Sequence, residues 1–466
     1  MDKNLHSIVI NHGEQLRSLQ ESSGGADTTR IFLHDVVFFT PGDSTTVTMP
    51  NRDGDIEKAL VVARPQDLVC ISPDTHPDYL KYLAQLELGP SSQNIIRLTG
   101  GSPSRDDTCH AQSLLESPEI LGEICSKIRR SGPIILEPYI ITPECIRLAN
   151  ELQARTARTV QVSGKNIDLV NRCIQKHWVK NQARELGIPV AEGSAVAVER
   201  SPIKSPVDLR PLKEAVKRWS QLSGTVIIRS ATDVLASTII KVSKESDNLR
   251  NSLELIRQDT HSMYLIEPFY EVTVSPNILF HVEPEYGPIR CIGITDQRLS
   301  QNLAHQGNCF PSRSKTLDLM LNSAQRFSAW LQAKGFSGVV GYDFCEYIDP
   351  ASGKPAHFFT EINPRVNGSL YPLSIMAHLY DPARNNAQYP VQVFLSAKWV
   401  KVGACSYAEF LAKHESLFYY PDRIMGIIPF NTSALDRNIV DLVVVGQSPS
   451  KVSKFFAMVQ RNFISK

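Results

Sequence analysis

Four polar side chains recur at short intervals near residue 350: Asp343, Glu361, Asn363 and Arg365. Asp343 lies in a short apolar run, GVVGYDF, and the other three in HFFTEINPR. A Gly- and Pro-containing stretch, DPASGKP, separates the runs, so the spacing predicts an antiparallel hairpin. Residues i and i+2 of a strand share a face, which places Glu361 and Asn363 on the same side of the second strand. The hairpin brings Asp343 beside them. Two carboxylates and an amide oxygen form a set of hard oxygen donors of the kind that suits Mg²⁺ shared with phosphate oxygens. The guanidinium of Arg365 then completes a phosphate clamp. An isolated Asp at a strand end says little. Three polar groups on one face of an otherwise apolar strand say more, because that face is costly against a core and must meet a ligand, an ion or water.

The elements that must carry this hairpin are those of a large globular chain. Its 466 residues bound two to four domains or subdomains. A hydrophobic share of 42% and a charged share of 21% fit a chain with a sizeable core. The net charge of +1 gives no bulk pull toward nucleic acid or anionic lipid, so neither is expected as a partner. No apolar run approaches the roughly 18–20 residues that span a bilayer. The first residues, MDKNLHSIVINHGEQLRS, lack a secretory apolar core, and a cytoplasmic location is expected. Nine scattered cysteines without a CxxC pair read as reduced, mostly buried thiols.

Residues 1–29 are polar. From residue 30, runs such as IFLHDVVFF, KALVVAR, DLVCISP, NIIRLTG, PIILEPYI and TVQVSG read as strands alternating with helices such as HPDYLKYLAQLEL and PECIRLANELQAR. That alternation predicts an α/β layer with a largely parallel sheet. A helix is expected from Asn166 to about Leu186, with Ile167, Val170, Ile174 and Trp178 at helical spacing and Gly187-Ile188-Pro189 closing it. Strands GSAVAVE and GTVIIRS, a loop ATDVLAS, a strand TIIKV, and a long helix KTLDLMLNSAQRFSAWLQAKG lead to the hairpin. In the tail, IMGIIPFN and NIVDLVVVGQS read as strands and PSKVSKFFAMVQRNF as a closing helix.

The string E-I-N-P-R, with Asp343 on the preceding strand, resembles the metal-binding strand of the ATP-grasp superfamily, whose pattern is an acidic residue followed on the next strand by E-x-N-x-R. The likeness runs from about Asn166 to about Leu379. The first 160 residues and the tail resemble, more weakly, peptide ligases of the pheganomycin type with their pre-ATP-grasp domain. The resemblance implies an α/β (α+β) chain: a polar segment (1–29), a Rossmann-like pre-ATP-grasp domain (30–164), the two lobes of an ATP-grasp fold (165–245 and 246–380) and a C-terminal closing segment (381–466).

The resemblance also implies roles. Asp343, Glu361 and Asn363 are the expected ligands of Mg²⁺, with Mn²⁺ as the alternative, and Arg365 touches the transferred phosphate. Lys176 reaches the phosphates of ATP from the helix before G-I-P. Arg229 stands where the family typically has a second Lys. The family's glycine-rich phosphate loop is replaced by SATDVLAST, which has no glycine, so Ser230, Thr232, Ser237 and Thr238 are left as hydroxyl donors. Leu265 and Ile266 suit an adenine slot, Glu267 and Pro268 the hinge, and Glu271 the ribose hydroxyls. In the polar loop ITDQRLSQNLAHQGNCFP, Arg298 is expected on a phosphate or carboxylate, and His305 as a loop hydrogen-bonder more than a base. The expected activity is an ATP-dependent ligase that makes an acyl phosphate from a carboxylate and couples it to an amine, the substrates being small molecules or peptides in a specialised pathway. Loading of an amino acid onto a carrier protein and nucleotide binding without catalysis are the alternatives. A homodimer agrees with the resemblance, since many relatives pair through their sheets.

Overall fold

The computed structural model describes residue 19 and residues 27–34, 53–98, 110–199, 207–232, 239–243, 248–259, 261–301, 303–380 and 391–464. Three sheets organise these residues. The first is five-stranded and parallel, built from β1 (Thr29–Leu33), β2 (Leu68–Ile71), β3 (Ile95–Arg97), β4 (Ile134–Pro138) and β5 (Val160–Val162) in the order β3-β2-β1-β4-β5. Its inner strands β1 and β2 are buried on both faces, as parallel strands covered by helices are: every residue of both is buried. KALVVAR is not a strand. Residues Asp53–Val61 form a 3₁₀ helix instead, which packs its Ile56, Ala59 and Leu60 inward. A short apolar run satisfies either geometry, and here tertiary packing decides.

The second sheet is four-stranded and antiparallel, with β6 (Ser194–Ala197), β7 (Thr225–Ser230), β8 (Ile239–Ser243) and β9 (Met263–Pro268) in the order β6-β9-β7-β8. Period-two alternation sorts β7: Val226 and Ile228 enter an apolar core with Tyr264 and Ile266 of β9, while Ile227 and Arg229 face the other way. The third sheet is nine-stranded: β10 (Val272–Val274), β11 (Pro276–Val282), β12 (Ile289–Leu299), β13 (His305–Phe310), β14 (Gly338–Ile348), β15 (Pro355–Asn363), β16 (Val393–Lys401), β17 (Gly426–Asn431) and β18 (Ile439–Gly446). Its order is β10-β14-β11-β12-β13-β16-β18-β17, with β15 on β14. The tail strands and closing helix (Pro449–Ile464) form as the sequence predicts.

Strand pairing crosses two of the borders drawn from sequence. β9 lies past residue 245 yet pairs with β6 and β7. Likewise β16, β17 and β18 lie past residue 380 yet extend the hairpin's own sheet through β13. The polar loop 294–311 is largely two paired strands, β12 and β13, with Arg298 opposite Gly307. One apolar cluster joins Ile31 and Leu136 of the first sheet to Ile278, Tyr342 and Phe359 around the hairpin, so the parallel sheet braces the strands that carry the acidic residues. Among the described residues, no helix is long and apolar enough to cross a membrane.

Candidate active site

The hairpin forms as predicted. β14 and β15 pair antiparallel with Asp343 opposite Glu361 and Gly341 opposite Asn363. Asn363 Nδ2 donates to Asp343 Oδ2 at 3.0 Å, which leaves its own oxygen turned away from that carboxylate. The two carboxylates share a mostly buried corner, and their charges oppose each other. Burial first, and the Glu361 carboxylate second, push the Asp343 carboxyl well above its ordinary range. Burial also works against ionisation of Glu361, but Lys176 and Arg229 outweigh it and hold that carboxyl low. A paired acid corner of this kind needs a proton or a cation to settle it. Among the described residues no three of His, Cys, Asp and Glu gather as a metal cage. Two carboxylates and one amide fit Mg²⁺, which keeps several waters and borrows phosphate oxygens.

Lys176 comes to this corner through a break in the expected helix. Residues Ile167–Cys173 and Lys176–Glu185 are separate helices, with Gln175 in extended backbone between them. The Lys176 amide donates to Ala231 O at 2.8 Å, which docks the helix start on the end of β7. The inward face of the second helix reads Lys176, Val179, Lys180 and Ala183, a helical stripe in which two lysines replace apolar residues. Its far end is strapped to β15, where the Phe359 amide donates to Pro189 O at 2.8 Å. Lys176 Nζ lies 3.3 Å from Glu361 Oε2.

A cleft of about 620 Å³ runs past the acid corner. Part of its wall is apolar, with Ile227, Ile239, Phe269, Tyr270 and Phe358, and the ammonium of Lys241 is 3.6 Å from the centre of the Phe269 ring. Lys176, Arg229, Ser230, Glu267, Pro268, Glu271, Asp343 and Glu361 all line the same cleft. Beyond the acid corner it continues to Gln297, Leu299, Leu303, His305 and Arg313. The space thus has an apolar slot, cations and acids in the middle, and a second arm.

Several assignments change on inspection of partners. Glu267 is buried at the cleft wall and takes Arg229 Nε on one oxygen at 2.8 Å and the Lys180 ammonium on the other, so its carboxylate organises cations. Leu265, across from Arg229, is buried and is not part of the cleft wall. Ser230 Oγ accepts from the Thr232 amide at 3.2 Å, while Ser237 and Thr238 lie outside the described residues. Arg298 does not line the cleft; it donates to Ser396 O at 2.9 Å and stacks over Phe456. Arg365 donates to Tyr139 OH at 2.9 Å and to Val366 O at 3.0 Å, which turns it toward the end of β4. His305 Nε2 is 3.0 Å from Asn308 Oδ1, and burial with nearby Lys398 lowers its pKa to about 3, so it is a neutral hydrogen-bonder. The sequence reading missed Lys180, Lys241, Asn277 and Tyr139. Lys180 was within reach, because a lysine four residues after Lys176 shares its helix face. The others need the tertiary pairing.

No family model and no curated protein sequence matches the chain. Solved structures do. An ADP complex of PurK, N5-carboxyaminoimidazole ribonucleotide synthetase, aligns with a TM-score of 0.55 at 10% identity over 94% of this chain and 97% of that one. The N5-carboxyaminoimidazole synthase of Aspergillus clavatus, in complex with ADP and 5-aminoimidazole ribonucleotide, aligns with a TM-score of 0.54 at 12% identity over 94% and 100%. The biotin carboxylase domain of Hydrogenobacter thermophilus 2-oxoglutarate carboxylase, a dimer in complex with MgADP, ADP and bicarbonate, gives 0.50 at 12% over 90% and 86%. At such identities the likeness shows the fold alone: a parallel sheet followed by antiparallel sheets.

Proposed function

We propose that the protein is an ATP-dependent ligase that activates a carboxylate as an acyl phosphate and couples it to an amine, releasing ADP and phosphate. The observation that carries this reading is the pair Asp343 and Glu361 at the wall of a cleft that also holds Lys176 and an apolar slot, with Asn363 hydrogen-bonded to Asp343. Asp343, Glu361 and Asn363 would hold Mg²⁺ or Mn²⁺. When bound, the ion neutralises phosphate charge. Fold relatives captured with ADP or MgADP support a nucleotide in this cleft.

The chain's own residues do the rest. The apolar slot takes the adenine, with Pro268 and Glu271 at its edge for the ribose side. Lys176 holds phosphate oxygens, and Arg229 adds charge from behind, oriented by Glu267. A substrate carboxylate oxygen attacks the terminal phosphorus, and the bond to ADP breaks. The amine then attacks the acyl carbon, and phosphate leaves. Phosphoryl transfer of this kind needs placement and charge neutralisation more than a covalent protein group. The second arm at Gln297, Leu299, Leu303 and Arg313 is where the organic substrates fit: its leucines suit an apolar body and Arg313 an anionic group. Small-molecule or peptide substrates of a specialised biosynthetic pathway fit that arm. A cytoplasmic setting belongs to this reading and rests on scattered cysteines without a CxxC pair in the sequence.

The deciding experiment is a screen for ADP release across amino acids and short peptides, alone and in pairs, with products read by mass spectrometry. A pair-dependent ADP signal with a product lighter by one water than the two substrates is expected. Hydroxylamine should trap a hydroxamate from the acid partner. ADP release with phosphorylation of a hydroxyl substrate, and no condensed product, would replace the ligase reading.

A further inference from the structure

Behind Asp343 lies a file of amides and a hydroxyl. β11 pairs with β14 so that Asn277 stands directly opposite Asp343, on the edge away from Glu361. Asn277 Nδ2 donates to Asp343 Oδ1 at 2.5 Å. The oxygen of Asn277 in turn accepts from Asn367 Nδ2 at 3.4 Å and from the Ser369 hydroxyl. The Ser369 amide donates to Asn367 Oδ1 at 3.1 Å, and the Ser369 hydroxyl stands between two acceptors, the Asn277 oxygen and, at 2.7 Å, Asn367 Oδ1. All three residues are buried, at 3%, 7% and 3% exposure.

The bonds fix directions. Because the Asn277 oxygen is occupied from behind, its NH₂ group must face Asp343. With Asn363 on the other oxygen, both oxygens of Asp343 receive an amide proton and the carboxylate cannot rotate. The backbone leaves room for this arrangement at one place. A Cβ on Gly341 would sit 2.2 Å from Asn367 Nδ2 and 3.3 Å from Asn277 Nδ2. The tail of the hairpin motif, V-N-G-S, thereby reaches back across two strands. Packing alone would be served as well by apolar residues, whereas a connected polar network in a core is costly unless each member is satisfied. Carboxylates that hold metal ions are commonly oriented by such partners.

We propose that Asn277, backed by Asn367 and Ser369, is a positioning relay that aims the Asp343 carboxylate at the divalent ion. The proposal rests on the reading of Asp343, Glu361 and Asn363 as the metal-holding set. The test is Mn²⁺ binding to the full chain with saturating ADP, followed by electron paramagnetic resonance of free Mn²⁺, alongside ADP binding in EDTA and thermal unfolding. Asn277→Ala is expected to weaken Mn²⁺ binding roughly ten- to hundred-fold while ADP binding in EDTA is unchanged. Asn367→Ala should weaken it by a smaller factor. The double variant should be no weaker than Asn277→Ala, because Asn367 acts only through Asn277.

If Asn277→Ala does not fold, Asn277→Ser, alone and combined with Asn367→Ala, carries the same non-additivity test. A folded Asn277→Ala chain that loses only thermal stability and binds Mn²⁺ like the wild type overturns the relay and leaves the metal site standing. Losses that add in the double variant overturn the relay as well. A wild-type chain that takes up no Mn²⁺ with ADP overturns the metal reading itself.

Discussion

The ammonium of Lys176 lies 3.3 Å from Oε2 of Glu361, so the expected phosphate cation and an expected metal ligand are bound to each other. A nucleotide with its divalent ion offers each a new partner: phosphate for the lysine, metal for the carboxylate. Lys176→Met should therefore weaken ATP and ADP binding at least ten-fold, or about 1.4 kcal/mol. Lys176→Arg should recover part of that, since it keeps the charge but not the compact ammonium. Calorimetric titration checks both. Unaltered affinity in Lys176→Met would remove the lysine from the phosphate site.

Asp343→Asn and Glu361→Gln should each abolish ATP turnover without unfolding the chain. For Asp343→Asn the unfolding midpoint should hold steady or rise, because burial first and the Glu361 charge second work against an ionised carboxyl at this position. ADP release and circular dichroism together test this. Wild-type turnover in either variant would defeat the assignment.

Glu267 predicts the opposite balance of function and stability. It is buried between Arg229 and Lys180, and those cations outweigh burial to keep its carboxyl low. Glu267→Ala strands two buried positive charges, a loss expected to cost about 3–5 kcal/mol. Denaturant unfolding measures it. A loss under about 1 kcal/mol would show that solvent reaches the pair and screens it.

Glu57 supplies a pH signature far from the cleft. Its Oε1 accepts from the Ser433 amide at 2.9 Å and from the Thr432 amide, joining the 3₁₀ helix of the first layer to the end of β17. Burial raises its pKa to about 7 despite those bonds. A folded-state value above the unfolded one means that the folded chain holds the proton more tightly, so the contribution is full below the unfolded pKa and fades as pH climbs through about 7. Glu57→Gln should flatten that slope and raise the unfolding midpoint above pH 7 relative to the wild type. Parallel pH profiles for the two proteins would contradict it.

The site was legible in the sequence where side-chain chemistry and strand period coincide. E-I-N-P-R names its own face, and Asp343 needed only one hairpin to join it. Lys176 was legible by resemblance, although the helix break that aims it was not, because helical spacing continues through Ile174 and Gln175. Partner choice was the part that could not be read. Arg298 and Arg365 are guanidiniums beside phosphate-binding candidates in sequence, yet strand pairing turns one toward Ser396 and the other toward Tyr139. Glu267 looked like a hinge acid until two cations from separate elements closed on it. Asn277 gave no signal at all, since its meaning comes from a register across strands 66 residues apart.

The nine-stranded sheet has a consequence for anyone cutting this chain. Trimming it after the acidic hairpin would strip β16 from β13 and leave a row of unpaired backbone groups beside Phe310, whose stacked partner Phe394 goes with the removed piece. Bare edges of that kind recruit other chains. A fragment ending near residue 380 should come out of expression as aggregate, and the cleft with it, even though every residue expected to touch ATP is still present.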